Sequence, residues 1–173
     1  MTTITFEPEG WDQLGDRLDK AGVQSRIRIN EGLRAIGGIL VPALKAETPV
    51  GASRRLRNST IFQVLQPSGD EQVLEVRQGA RSGTGFFYGR VVRHGRRAGT
   101  FPPISALEPW VMAKLGIPAA RARAVAFLVA RKIYRRGIPP NPYHERALNQ
   151  ARPEIQQQVE LMGTRIVAYL SGR

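Results

Sequence analysis

The segment TPVGASRRLRNS, from Thr48 to Ser59, separates a helical pattern from a β pattern and therefore decides how this chain folds. Before it, an apolar stripe recurs at steps of 4, 3, 4 and 4 residues, which predicts a helix over residues 23–47. After it, residues 56–66 and 73–78 have the composition of strands joined by the turn PSGDE. A third strand is predicted over residues 86–93. One face of such a meander of three strands can pack on helices. The apolar stripe of the helix predicted over residues 23–47 consists of Ile29, Leu33, Ile36, Leu40 and Leu44.

Helical patterns dominate the second half of the chain. Ser105, followed three residues later by Glu108, has the spacing of a capping box and predicts a helix over residues 105–115. A second helix is predicted over residues 119–136, and a third over residues 143–170, with Pro153 breaking or kinking it. The last helix carries a stripe with the same steps as the first. A short strand over residues 4–7 and a helix over residues 11–20 are also predicted.

The composition predicts a globular chain with an anionic partner. Its 173 residues are enough for one domain with a substantial core, and the absence of cysteine excludes disulfides and thiolate metal sites. A net charge of +12 favours nucleic acid, anionic lipid or an acidic protein surface as a neighbour. No apolar run approaches the ~20 residues of a membrane span, and no signal peptide is apparent, so the cytoplasm is the expected location.

Two groups of basic residues are candidates for contact. The first falls within one arc of the helix predicted over residues 119–136, and it can contact DNA, contact an acidic protein surface or remain solvated. It comprises Arg121, Arg131, Lys132, Arg135 and Arg136. The second lies in predicted loops and strand edges and suggests contacts with other subunits or partners. It comprises Arg54, Arg55, Arg57, Arg90, Arg93, Arg96 and Arg97.

Nothing in the sequence predicts catalysis. The two histidines, His94 and His144, are expected at the surface, and no catalytic residue, cofactor or metal ligand is assigned. The glycine-rich loop GARSGTG lacks the GK[ST] ending of a phosphate-binding loop. Aromatic residues make up only 7% of the chain and are not interleaved with the positive charge, which disfavours base stacking.

Three segments taken in order resemble the tail-completion, or head–tail joining, family of long-tailed phages. TPVGASRRLRNS resembles the family's junction between a helix and its first strand, although two extra residues separate the glycine from the leucine. YGRVVRHG, residues 88–95, resembles the next signature, a strand and a glycine turn, with Arg93 or His94 in place of the usual acidic residue. GIPPNPYHERAL, residues 137–148, resembles the proline turn and aromatic residue that open the final helix. The matching positions in the first segment are Pro49, Val50, Gly51, Leu56, Arg57 and Ser59.

The resemblance implies an α+β fold, in which a small antiparallel sheet packs against long helices. It implies a single tail-completion-like domain over residues 1–173, with a helical insertion at about residues 104–136 that resembles inserts in minor tail or neck proteins. It further implies a non-enzymatic ring subunit, expected to be six-fold, in the neck of the virion after assembly in the host cytoplasm. The implied partners are a head-closure or connector protein, a tail tube or tail terminator protein, and packaged DNA, without a membrane.

Other functions remain open from the sequence. Within the same class, the chain fits a tail terminator or a head-closure protein. A basic nucleic-acid-binding protein is the alternative from another class, since the charge alone favours it. An enzyme that uses His94 and His144 is the remaining alternative.

Overall fold

A computed structural model describes residues 22–51, 53–69, 71–81 and 87–171. The predicted strand at residues 4–7 and helix at residues 11–20 lie outside the described residues. The described chain is α+β with a small antiparallel sheet, as predicted; the sheet has two strands, where three were predicted, and six helices accompany it. The elements are α1 (Gly22–Glu47), α2 (Arg55–Asn58), β1 (Thr60–Leu65), β2 (Val73–Gln78), α3 (Tyr88–His94), α4 (Ile104–Leu115), α5 (Ala119–Arg136) and α6 (Tyr143–Leu170).

The chain divides into two compact units. Unit 1 comprises Met1–Glu47, Thr60–Gln78 and Glu145–Arg173. Unit 2 comprises Thr48–Ser59 and Gly79–His144. The segment that decides the fold in the sequence, Thr48–Ser59, therefore belongs to unit 2 although the elements on either side of it belong to unit 1.

Unit 1 is built around the apolar stripe of α1. The helix lies against both strands, which pair from Thr60 opposite Gln78 to Leu65 opposite Val73. Gly37 lets the backbone of α1 approach the ring of Phe62 on β1, since a Cβ at this position would overlap the ring. The predicted stripe is confirmed, because its members are buried or partly buried: Ile29, Leu33, Ile36, Leu40 and Leu44.

The C-terminal helix closes the other side of the unit 1 core. Met162 and Ile166 of α6 pack with Ile29 and Leu33 of α1. Of the break or kink predicted at Pro153, the break does not occur, since the helix is continuous from Tyr143 to Leu170. Pro153 is exposed, so the carbonyl that loses its hydrogen bond to this residue lies on the water side of the helix.

In unit 2, two segments predicted as strands are helical. Residues 56–59 form most of α2 and its C-cap, with Leu56 buried and Arg54 at φ 53°, a left-handed conformation that turns the chain into the helix. The predicted strand over residues 86–93 is wrong, because α3 occupies Tyr88–His94. The open side of Gly89 receives the Leu56 side chain and lets α3 pack on α2, a contact that a local reading of the sequence does not include. Tertiary packing thus overrides the β preference of Val91 and Val92.

The helical hairpin of unit 2 consists of α4 and α5, which contact each other closely. Three alanines spaced by four residues, Ala122, Ala126 and Ala130, are buried on α5, and Val111 of α4 is fully buried. Small side chains permit a short distance between helix axes. Helix α4 begins one residue earlier than predicted, with Pro103 as N-cap and no side-chain capping bond, so the capping box predicted at Ser105 does not form.

Candidate basic interaction surface

The positive charge of this protein is concentrated in unit 2. Unit 2 contains 15 Lys and Arg residues and a single acidic residue, Glu108, whereas unit 1 contains 11 basic and 13 acidic residues. All twelve basic residues predicted as contacts belong to unit 2. The net charge of +12 is therefore the sum of a strongly basic unit and a nearly neutral one.

The C-terminal half of α5 presents the densest part of this charge. Arg131, Lys132, Arg135 and Arg136 are exposed and, with Leu128, line an open surface depression of about 350 Å³. None of these four basic side chains makes an ion pair or side-chain hydrogen bond within the described chain. Arg121 is also exposed, but it precedes Arg131 by ten residues, or about 15 Å along the helix. The predicted group thus separates into a cluster and an outlying residue.

A backbone bridge fixes the arginine-containing loop after α3 against the end of α5. The amide of Arg96 donates to the carbonyl of Ile138 at 2.9 Å, and the amide of Ile138 donates to the carbonyl of Arg96 at 2.8 Å. The amide of Gly99 donates to the carbonyl of Tyr134 at 2.8 Å. The backbone of Arg96 and Arg97 is thereby held beside Gly137 and Ile138, which directly follow Arg136, although about 40 residues separate the two segments in the chain. The Arg96 side chain donates from Nη2 to the carbonyl of Thr100 at 3.1 Å.

Two glycines make this bridge possible. Gly95 has φ 73° and Gly137 has φ 70°, a region that other residues rarely adopt. A Cβ on Gly95 would meet the carbonyl of Ile138, and a Cβ on Gly137 would meet the carbonyl of Arg96. Because neither glycine has a Cβ, the backbone of each segment can approach the other closely enough to form the bridge. HGRR and RRGI each place a glycine beside paired arginines, but nothing local in either motif indicates that the two segments form a bridge.

The remaining predicted contacts occupy the short helices and the loop. Arg55 and Arg57 lie on α2 and Arg90 on α3, all three exposed, and the Leu56–Gly89 contact makes these helices neighbours. Arg54 begins α2 and is also exposed. Arg93 is partly buried near the end of α3. The structure places these residues on a second basic region of unit 2.

An aromatic cluster on the same hairpin was not predicted. Phe101 contacts Phe127 and Tyr134 of α5, with ring centroids 5.8 and 6.1 Å apart. The three side chains remain 41–45% exposed. The seven-residue spacing of Phe127 and Tyr134 is the sequence signal for their common face, but Phe101 joins them only through the loop fold.

The two histidines have different environments. His94 is exposed, as predicted. His144 is 6% exposed, so its predicted surface position is wrong. Its ring meets that of Tyr143 edge-on at 4.3 Å, at the buried start of α6. Among the described residues, no group of three or more His, Asp or Glu side chains has an arrangement that could hold a metal ion.

Comparisons with known proteins do not identify a relative: no family model, curated protein or solved structure matches this chain. Within the described ranges, no helix combines the length and the hydrophobicity needed to cross a bilayer. The function must therefore be argued from the fold, the exposed surfaces and the distribution of charge.

Proposed function

We propose that this chain is a structural virion protein that joins the head of a long-tailed phage to its tail, as a ring subunit at the neck. The α+β architecture supports this role, since long helices pack on a small antiparallel sheet and the α4–α5 hairpin precedes the C-terminal helix. The second of the three resembling segments adopts a helix where the family pattern has a strand. The first segment departs from the pattern too, since Leu56 and Arg57 lie in α2 and the first strand begins only at Thr60. The support therefore comes from the third segment, which opens α6, and from the order of elements.

The observation that carries this proposal is the apolar surface of α6. Leu161, Val167, Tyr169 and Leu170 expose 41–46% of their surface. Leu161 and Leu170 are nine residues apart, which places them on opposite sides of the helix at about 100° per residue. A ring subunit has one neighbour on each side, so apolar side chains on opposite sides of one helix fit such an assembly. Contact with neighbouring copies would remove this surface from water.

In this proposal the ring is six-fold and lies between a head-closure or connector protein and the tail tube or tail terminator protein. The basic residues of α5 contact acidic surfaces of these partners or the DNA that passes through the ring, and the arginines of the loops and short helices contact other subunits or partners. Tail termination and head closure are variants of the same ring role, and they differ in which partners the two faces of the ring meet.

The proposal is tested by removing the chain from the phage that encodes it. We expect electron micrographs to show filled heads and separate tails, because the ring that links them is missing. Supplying the wild-type chain should restore joined particles. Normal joined particles without the chain would overturn the proposal.

Variants of α6 test whether its exposed apolar side chains form the contacts of the proposed ring. Leu161→Glu with Val167→Glu places charge on exposed apolar positions and should fail to restore joined particles. Gln156→Glu with Gln157→Glu adds the same charge to exposed polar positions of the same helix and should restore them. Equal restoration by both pairs would exclude α6 as an assembly surface.

A further inference from the structure

We propose that unit 2 binds the phosphate backbone of double-stranded DNA through one defined basic cluster. The basic cluster comprises Arg96, Arg97, Arg131, Lys132, Arg135 and Arg136. It combines the C-terminal half of α5 with the loop that the Arg96–Ile138 bridge fixes beside it. This binding does not depend on a role at the phage neck, because it is a property of the free chain.

Charge segregation is the first support. Unit 2 has 15 basic residues and one acidic residue, so its own carboxylates neutralise almost none of its charge. Unit 1 balances 11 basic against 13 acidic residues. If the excess of basic residues served only solubility, it would not need to lie entirely in one unit. Such an excess attracts a polyanion and raises the rate of association with it.

The dimensions of the basic cluster fit a nucleic-acid backbone. Arg131 and Arg135 are four residues apart, which corresponds to about 6 Å along the helix, and Lys132 and Arg136 repeat this spacing one residue further on. Duplex DNA carries one negative charge per ~1.7 Å of axis, so several phosphates lie within reach of this helical turn. The bridge adds Arg96 and Arg97 on a backbone that is already ordered, which reduces the entropy lost on binding.

The side-chain chemistry favours phosphate over an acidic protein. Five of the six residues in the basic cluster are arginine, whose planar guanidinium forms paired hydrogen bonds with phosphate oxygens. Protein interfaces are organised around an apolar core with charge at the rim. The depression on α5 lacks such a core, since four of the described residues that line it are basic and Leu128 alone among them is apolar.

The exposed side chains of α5 favour duplex DNA over an anionic membrane. A helix that binds a bilayer surface inserts a continuous apolar face between the lipids. On α5, the alanines opposite the basic face are buried, Phe127 and Tyr134 are half-exposed but contact Phe101, and Leu128 is exposed among the basic residues. Duplex DNA requires only the exposed basic face. Because the basic cluster shows no arrangement for reading base edges, we expect binding to be independent of DNA sequence.

The test measures binding of the purified full chain to a fluorescent duplex of about 25 base pairs across a series of salt concentrations. We expect log Kobs to fall linearly with log salt, with a slope of about −0.9 per phosphate contacted. Arg131→Gln with Arg135→Gln should reduce the magnitude of that slope by about 1.8. The matched control is Arg152→Gln with Arg165→Gln, which removes equal charge from exposed positions of unit 1 and should leave the slope unchanged.

A second pair of variants tests the location within unit 2. Arg97→Gln should lower the magnitude of the slope by about 0.9, whereas Arg57→Gln on α2 should not. Equal effects of these two substitutions, or of the two double variants, would show that net charge acts without a site and would overturn the proposal. So would absence of DNA binding in dilute buffer, or competition by polyglutamate or phosphatidylserine vesicles as effective per charge as that by duplex DNA.

Discussion

At the scale of single residues, Glu47 connects the end of α1 to the beginning of α6. Its carboxylate accepts a hydrogen bond from Nε of Arg146 at 2.7 Å and another from Nε2 of Gln150 at 2.9 Å. These two donors are four residues apart and so lie on one face of α6. The hydrogen bonds from Arg146 and Gln150 lower the pKa of Glu47 below its ordinary value, and burial opposes them only in part.

We predict that Glu47 makes folding dependent on pH in the acid range. Because its pKa is lower in the folded than in the unfolded chain, it stabilises the fold above the ordinary pKa, and this contribution disappears as the pH falls through the folded value. Arg146→Met should raise the pKa of Glu47 and weaken the pH dependence of stability below pH ~5. Carboxyl titration by NMR and urea unfolding at several pH values measure the two effects.

The control for this substitution is Arg152→Met, which removes an exposed arginine from the same helix without touching Glu47. It should leave the titration of Glu47 unchanged. If Arg146→Met and the wild-type protein titrate alike at Glu47, the ion pair does not form in solution.

At the scale of elements, two adjacent glycines in α1 have opposite roles. A Cβ at Gly37 would overlap the ring of Phe62, so this glycine sets how closely α1 approaches β1. A Cβ at Gly38 would meet nothing within 4 Å, and the position is exposed. Only the first glycine is required by packing, although both weaken the helix through their conformational freedom.

We therefore predict opposite effects of the same substitution at neighbouring positions. Gly38→Ala should stabilise the protein by about 0.5–1 kcal/mol, because alanine has the higher helix propensity. Gly37→Ala should destabilise it by about 1–3 kcal/mol, since the added methyl group overpacks the contact with Phe62. Chemical unfolding of the two variants beside the wild type measures both values. Stabilisation by Gly37→Ala would show that α1 does not rest on Phe62 as described.

The sequence predicts some of these elements well because their patterns are local. The apolar stripe of α1 and the amphipathic pattern of α5 each depend on residues within one helix, and both helices end where the pattern ends. Helix α3 could not be predicted in this way, because Val91 and Val92 favour strands and the contact between Gly89 and Leu56 is visible only in the fold. That contact joins residues more than 30 positions apart in the chain.

The basic surface could also be predicted only where it depends on residues that are close in the chain. Exposed arginines on α5 were predictable from the helical period, but the position of Arg96 and Arg97 beside them was not. Their placement depends on the bridge that Gly95 and Gly137 allow, and a bridge between distant segments leaves no periodic pattern. The concentration of charge in one unit also required knowledge of which segments fold together.

At the scale of the whole molecule, the positive charge of unit 2 opposes the proposed association of copies into a ring. Copies of unit 2 carry 15 basic residues each against one acidic residue, so bringing several copies into a ring places like charges near one another. At an ionic strength of 0.01 M the Debye length is about 30 Å, and this repulsion extends across a whole unit. At 1 M it falls to about 3 Å. The proposed ring would therefore require either an anion that neutralises unit 2 or strong screening.

We predict that the free protein is monomeric in dilute salt. Light scattering at low ionic strength should give a mass close to the 19.2 kDa of one chain. Replacing Arg131 and Arg135 with glutamine should favour association, because it reduces the charge of unit 2 and leaves the apolar surface of α6 unchanged. A stable ring of the wild-type chain in dilute salt without DNA would show that apolar contacts exceed the repulsion, and the charge of unit 2 would then have no part in controlling assembly.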